Sequence, residues 1–186
     1  MENDASKEID RLLENVNLKN KLLKSDVEFI KYEHEDQLQG AINLITTELS
    51  EPYSIYTYRY FVGQWPELFF LAQVNGECAG VIISRLEEHG WGMETYFGSE
   101  KNKLNRGYIA MLAVSKKFRN YGIGKKLVQL TIEVMRLLNA DEVVLETEVS
   151  NQVACNLYQS LGFVRDKSLS RYYLGGSEAY RLKLWL

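Results

Sequence analysis

Apolar positions recur along the chain in two periods, one near 3.6 residues and one near 2, and their succession predicts the order of elements. Residues 4–24 place Ile9, Leu12, Leu13, Val16, Leu22 and Leu23 at helical spacing among many charges. This predicts a helix that either packs on its own domain or serves as a docking arm for another subunit. Residues 27–32 (VEFIKY) read as a first strand. Leu38, Ala41, Ile42, Ile45 and Leu49 mark an amphipathic helix that breaks at Ser50-Glu51-Pro52-Tyr53, and residues 54–63 resume as a second helix. LFFLAQV at 68–74 and CAGVIISRL at 78–86 flank Asn75-Gly76, a strong local signal for a β-hairpin. Residues 87–105 are polar and contain glycine, which predicts a long loop. Residues 107–114 (GYIAMLAV) suit a strand in the middle of a sheet. Ile123, Leu127, Leu130, Val134 and Leu137 then trace a helix, and residues 142–149 (EVVLETEV) a further strand. Ala154, Leu157, Tyr158 and Leu161 follow the i, i+3, i+4, i+7 pattern of a short helix capped by Ser150 or Asn151. Two strands near 163–173 and 178–186 finish the chain. From residue 27 the order is β-α-α-β-β-β-α-β-α-β-β, which predicts an α/β (α+β) fold: a mixed sheet of about seven strands with helices on both faces.

Length and composition narrow the picture. With 186 residues, the chain fits one domain plus a short appendage, divided here into a charged helical arm over 1–26 and a domain over 27–186. Lys+Arg 22 against Asp+Glu 25 leaves a net charge of −3, which argues against the chain-wide basic face of a DNA-binding protein. Cys78 and Cys155 stand far apart with no CxxC and no histidine at ligand spacing, so neither a metal site nor a disulfide framework is expected. The first ten residues are heavily charged, unlike a secretory leader, and no apolar run approaches the roughly 20 residues of a membrane helix. A reduced, cytoplasmic protein is the expectation. Two His against 12 Tyr turn attention from imidazole toward carboxylate and phenol chemistry.

The informative segment is Arg119-Asn120-Tyr121-Gly122-Ile123-Gly124-Lys125, between an apolar strand and an amphipathic helix. A P-loop requires Gly where Arg119 stands and Ser or Thr where Lys126 stands. A dinucleotide fingerprint requires a third small residue at Leu127. What remains is a phosphate cradle: Gly122 and Gly124 remove side chains so that N–H groups at the helix start approach an anion, with Arg119, Lys125 and Lys126 adding charge. The competing reading has the glycines only shaping a tight strand-to-helix turn.

R-x-x-G-x-G after a strand of the type YIAMLAV resembles the acetyl-CoA motif of the GNAT acyltransferases. Asn151, Ala154, Leu157, Tyr158, Gly162 and Phe163, in the pattern N-x-x-A-x-x-L-Y-x-x-x-G-F, resemble that superfamily's second signature. SEPYSIYTYRYF (50–61), QWPEL (64–68), RGYIAMLAV (106–114), DEVVLETEV (141–149), GFVRDK (162–167) and RYYL (171–174) are similar, more narrowly, to catalytic subunits of NatC-type N-terminal acetyltransferases. The resemblance implies a GNAT fold, mostly antiparallel, with a splayed parallel strand pair. It further implies acetyl transfer to the α-amine of proteins that start with Met and a bulky hydrophobic residue. A GNAT enzyme acting on lysine or a small amine is the alternative. The implied co-substrate is acetyl-CoA, without a metal. The implied partners are a peptide N-terminus and auxiliary subunits, with the ribosome reached through those subunits.

The same resemblance implies roles for individual residues. The backbone of Leu112, Ala113 and Val114 would bind the pantetheine arm and supply an oxyanion donor. Residues Asn120, Tyr121, Gly122, Ile123, Gly124 and Lys125 would take the pyrophosphate, with Arg119 shaping or contacting the site. Asn151 would reach the cofactor from the second helix. Glu146 is the expected general base, against the reading of a solvated strand-face carboxylate, which applies equally to Glu148. Tyr158 is the expected acid for the departing thiolate, against the reading of a core aromatic. Cys155 reads as helix packing rather than as an acyl acceptor. Glu51 would hold the α-ammonium or the first residue's backbone. Pro52 and Tyr53 would shape the methionine pocket, and Tyr108, Tyr172 and Tyr173 would line the peptide. Tyr56, Tyr58, Tyr60 and Tyr180 read as packing.

Overall fold

The computed structural model describes residues 2–22, 27–50, 53–90 and 103–186. Seven strands, β1 (Val27–Lys31), β2 (Phe69–Val74), β3 (Glu77–Gly90), β4 (Lys103–Val114), β5 (Glu142–Glu148), β6 (Val164–Leu169) and β7 (Ala179–Trp185), join in one sheet of order β1-β2-β3-β4-β5-β7-β6. Every pairing is antiparallel except that of β4 with β5. The helices are α1 (Glu2–Leu22), α2 (Glu35–Glu48), α3 (Ile55–Gln64), α4 (Ile123–Leu137) and α5 (Gln152–Ser160).

Strand alternation sorts the core into two layers. Phe69, Leu71, Val81, Ile83, Met111 and Ala113 pack with Leu38, Ala41, Ile45, Tyr58 and Phe61 of α2 and α3. Phe70, Ala72, Ile82, Ile109, Val143 and Leu145 pack on the other side with Leu127, Val134 and Met135 of α4. Ile9 and Leu13 of α1 belong to this second layer. Neighbouring residues on a strand face opposite ways, so a continuous apolar run serves two helix layers at once.

The edge strand β1 explains why α1 lies where it does. Asn17 accepts the Phe29 N–H and donates to the Phe29 carbonyl, each at 2.8 Å, and Asn20 donates to the Val27 carbonyl at 3.2 Å. Two asparagines thus satisfy the edge of β1 as a further strand would. The Asn75-Gly76 hairpin forms as expected, with φ of 51° and 77°, a left-handed pair that glycine adopts freely.

Two boundaries and one packing assignment differ from the sequence reading. The loop expected over 87–105 is in part strand, since β3 runs on to Gly90 and β4 starts at Lys103, paired from Leu86↔Gly107 to Gly90↔Lys103. Ladder bonds join backbones, so polar side chains past the core do not end a hairpin. The strand expected over 163–173 stops at Leu169, because Arg171 turns to φ 53° and Tyr172 and Tyr173 both donate their N–H groups to the Ser177 carbonyl. Tyr56, expected to pack, is 77% exposed, whereas Tyr58 is buried and Tyr60 sets its ring against Trp65 at 5.5 Å. Two residues along a helix turn a side chain about 200° away, so Tyr58 faces the core and Tyr56 faces away from it.

Candidate active site

β4 and β5 pair over only three positions, Arg106↔Glu142, Gly107↔Val143 and Tyr108↔Val144. Beyond Tyr108, β4 continues to Val114 with β3 as its one partner strand among the described residues and a register shift near Ala110. β5 continues to Glu148 bonded to β7. A bulge increases local twist, and here it lies where the two strands part. The gap opens into a cleft of about 330 Å³. Ile109, Ala110, Met111 and Leu112 line it from β4, Leu145–Glu148 from β5, and Asn151, Ala154 and Tyr158 from the start of α5 and beyond. Glu48, Leu49, Ser50 and Tyr53 line it from the α2–α3 side, and Tyr173 from the turn after β6.

One end of the cleft adjoins the glycine-containing turn. Asn120 and Gly122 both take positive φ, 69° and 76°, and Gly122 caps α4 without any side-chain hydrogen bond. Lys126 N–H is the first to bond back, to the Gly122 carbonyl at 3.0 Å. The N–H groups of the first turn, Ile123, Gly124 and Lys125, thus emerge with no cap at the positive end of the helix dipole. A Cβ on Gly124 would lie 3.5 Å from Val114 and 3.6 Å from Leu157, ordinary contact distances, so the turn passes close to α5. Arg119 does not point its guanidinium at open solvent alone: Nη2 lies 2.6 Å from Glu48 Oε2, and Nε 3.5 Å from the Val114 carbonyl. Lys125, Lys126 and the exposed Tyr121 flank a second cavity, bounded by Asn20, Val27 and Phe29.

Glu146 sits inside the cleft with its side chain only 3% exposed. Oε2 accepts the Tyr108 hydroxyl and Oε1 accepts Arg181 Nε, each at 2.7 Å. Strand register causes both contacts, since Arg181 is its direct partner on β7 and Tyr108 projects from β4 just before the strands diverge. Charge-assisted bonds of this length hold a carboxylate in one orientation. Arg85 lies over the Tyr108 ring at 4.7 Å. Burial, and then the Glu146 carboxylate, push the Tyr108 phenol far above its ordinary range. Glu148 accepts instead from Ser150 Oγ at 3.0 Å, so the two carboxylates of this strand face have different partners.

Tyr158 is buried, its ring edge-on to Phe163 at 5.5 Å. Burial, reinforced by Tyr173, raises its phenol well above the usual value. Asn151 spends its side-chain oxygen on the Ala154 N–H at 3.1 Å, capping α5. Cys155 is buried beside it and does not line the cleft.

The other expected residues sort themselves. Leu112 lines the cleft, while the Ala113 side chain enters the α2–α3 core layer and Val114 packs toward Gly124. Tyr53 and Tyr173 line the cleft, and Tyr172 crosses Tyr173 edge-on at 5.1 Å. Glu51 and Pro52 lie outside the described residues. Two charged partners of the site were not anticipated, Arg181 behind Glu146 and Glu48 in the cleft wall. Arg181 was illegible without the register of β5 against β7. Glu48 left a trace in the sequence, an acid in the last turn of a helix with no basic residue beside it, where the dipole disfavours negative charge. Among the described residues no three His, Cys, Asp or Glu side chains gather as metal ligands. No described helix is long and apolar enough to cross a membrane.

Comparison with known proteins agrees with this geometry. The acetyltransferase (GNAT) family profile matches residues 38–163. The chain is 52% identical over 160 residues to N-alpha-acetyltransferase 30 of Xenopus laevis, covering 86% of this chain and 55% of that protein. It is 44% identical over 159 residues to N-alpha-acetyltransferase 30 of Schizosaccharomyces pombe, covering 86% of this chain and 98% of that one. The chain therefore spans about half the length of the frog relative and nearly all of the yeast one. A chain in the crystal structure of the NatC complex bound to Gag peptide and CoA superposes with a TM-score of 0.77 at 40% identity, covering 87% of this chain and 99% of that one. An open strand pair, an uncapped helix start beside it and a profile match over most of the domain lead to one conclusion: the chain belongs to the acetyltransferase (GNAT) family.

Proposed function

We propose that this protein transfers the acetyl group of acetyl-CoA to the N-terminal α-amine of proteins that begin with Met followed by a bulky hydrophobic residue. The observation that carries the reading is the parting of β4 from β5 after Tyr108. It leaves the β4 edge from Ile109 to Val114 without a strand partner on the cleft side, and it sets Glu146 and Tyr158 on the walls of the same cleft. The relatives named N-alpha-acetyltransferase 30, and the neighbouring complex bound to CoA and a peptide, support it.

The residues present fit the acyl donor. The pyrophosphate suits the uncapped first turn of α4, where Gly122 stands at the cap with no side chain of its own. The pantetheine arm suits the unpartnered edge of β4, as a further strand would. Bound acetyl-CoA supplies a thioester carbonyl open to attack by a neutral amine. The protein's part is to hold that carbonyl against an N–H group of the Leu112–Val114 edge, which favours the developing oxyanion, and to move two protons. At pH 7 deprotonating an α-amine costs roughly 1.4 kcal/mol and a lysine amine roughly 4.6, so a carboxylate suffices for the first. Glu146 keeps free lone pairs beside those given to Tyr108 and Arg181, and accepts the amine proton directly or through one water. Tyr158, held protonated by burial, donates its proton to the departing thiolate. The C–N bond forms, the C–S bond breaks, and both protons are accounted for.

Tyr53 and Tyr173 give the peptide end of the cleft aromatic walls, and Glu51 and Pro52 are assigned there on family resemblance. An apolar pocket distinguishes one methylene by only about 1–3 kcal/mol, so several bulky second residues are accepted. The reading extends to auxiliary subunits, to the ribosome through them, and to action in the cytoplasm. The test is acetyl transfer from acetyl-CoA to Met-Leu peptides, compared with peptides that carry a blocked N-terminus and an internal lysine. The expected result is at least tenfold preference for Met-Leu. A preference for lysine overturns the reading.

A further inference from the structure

Resting on the reading above, we propose that Glu48 is a positioning residue that couples occupancy of the α4 cradle to the peptide-side wall of the cleft. Glu48 is the last residue of α2, and its side chain is 6% exposed. Oε2 accepts Arg119 Nη2 at 2.6 Å, and Oε1 accepts the Lys116 N–H at 3.1 Å. Both donors belong to the connection between β4 and α4, the segment that sets the first-turn N–H groups in place. One carboxylate therefore grips that connection at two points three residues apart.

The arrangement is costly unless it serves something. A carboxylate in the last turn faces the negative end of the α2 dipole, and α2 has no basic residue there to offset it. Burial adds desolvation. Among the described residues the cradle's guanidinium and the Lys116 N–H compensate the charge, so the Glu48 side chain is held by the cradle. The residues that follow Glu48, namely Leu49 and Ser50, line the cleft with Tyr53, Glu146 and Tyr173. An anion that settles on the first turn of α4 orders the connection, including Arg119, whose side chain is half exposed. Through Glu48 the same ordering reaches Leu49 and Ser50. Peptide then meets a wall whose entropy has already been lost, and the two ligands bind with positive coupling.

The experiment uses the full chain and isothermal titration. The affinity of a Met-Leu peptide is measured alone and at saturating CoA, with amide exchange at residues 45–50 followed with and without CoA. In the wild type, CoA is expected to tighten the peptide by about 5-fold or more, within the usual range of coupling factors, and to slow exchange at 45–50. In Glu48→Gln, which keeps an acceptor for Lys116 N–H but loses the charge, the factor is expected to fall to about 1, with the CoA-induced protection lost. Glu48→Asp, which keeps the charge but shortens the reach, is expected to give an intermediate factor, and it replaces Glu48→Gln if that variant does not fold. Equal coupling and equal protection in wild type and Glu48→Gln overturn the proposal. A wild type that binds CoA but not the peptide overturns the activity reading instead. In that case the exchange data alone decide whether Glu48 links cradle to wall.

Discussion

Replacing Glu142 by Gln removes the anion from a buried cluster at the root of the cleft. Glu142 is fully buried, with Arg106 Nε 2.6 Å from Oε1 and Lys183 Nζ 3.1 Å from Oε2, both cations nearly buried themselves. Arg106↔Glu142 is the first rung of the short parallel ladder that joins β4 to β5 before they part. Burial pushes the Glu142 carboxyl up, but the hydrogen bonds and charges of Arg106 and Lys183 outweigh it and hold the group below its ordinary range. Glutamine takes the counter-ion from Arg106 and leaves Lys183 with the more distant Asp166, 4.0 Å away, a loss of about 3–5 kcal/mol for a broken buried pair. For a chain of this size each kcal/mol moves Tm by about 2–4 °C, so the expected drop is about 6–20 °C at pH 7. Because the folded-state value is depressed, this stability is present above the unfolded carboxylate value near pH ~4.3. It is lost as pH falls through the lower folded value. Thermal melts of wild type and Glu142→Gln from pH 7 down to pH ~3 therefore converge at the acid end. A drop under about 2 °C at pH 7, or a gap that stays constant on acidification, refutes the account of the cluster.

Two further substitutions probe the cleft and its support. Tyr158→Phe keeps the packing against Phe163 but removes the proton offered to the leaving thiolate, so kcat should fall by about 10²–10⁴ while peptide binding by titration holds; turnover within threefold of wild type rules out the acid role. Gly80→Ala would bring a Cβ to 2.6 Å from Ile123 Cγ2 and 3.1 Å from Leu127 Cδ1, forcing α4 off β3. The expected cost is about 1–3 kcal/mol by denaturant melt, together with a weaker CoA affinity, since Ile123 starts the helix that forms the cradle. An unchanged midpoint and affinity would mean that α4 is not seated as described.

Much of this arrangement was legible in the sequence because it depends on short-range geometry. The Asn75-Gly76 turn, the helical spacing from Ile123 to Leu137 and the run Arg119–Lys125 each express a local constraint: a left-handed pair, a 100° repeat, a helix start stripped of side chains. The family resemblance added Glu146 and Tyr158, and the structure brings both to one cleft. What local reasoning missed involved partners. The hairpin strands over 87–90 and 103–105 pair through backbone groups that every residue possesses, so their polar side chains misled. Tyr56 and Tyr58 look alike in the sequence and part only when the helix is set against the sheet.

Residue by residue, the chain by itself determined most of the helices and strands and the uncapped glycine turn before α4, because those choices rest on dihedrals and periods a few residues long. Only the tertiary structure decided that β4 and β5 separate after three rungs, that Glu146 meets Arg181 and Tyr108, and that Glu48 reaches across to Arg119. Those contacts join residues 35, 38 and 71 positions apart. Their existence depends on strand register and helix docking, which are set by how the whole core packs rather than by any one stretch of sequence.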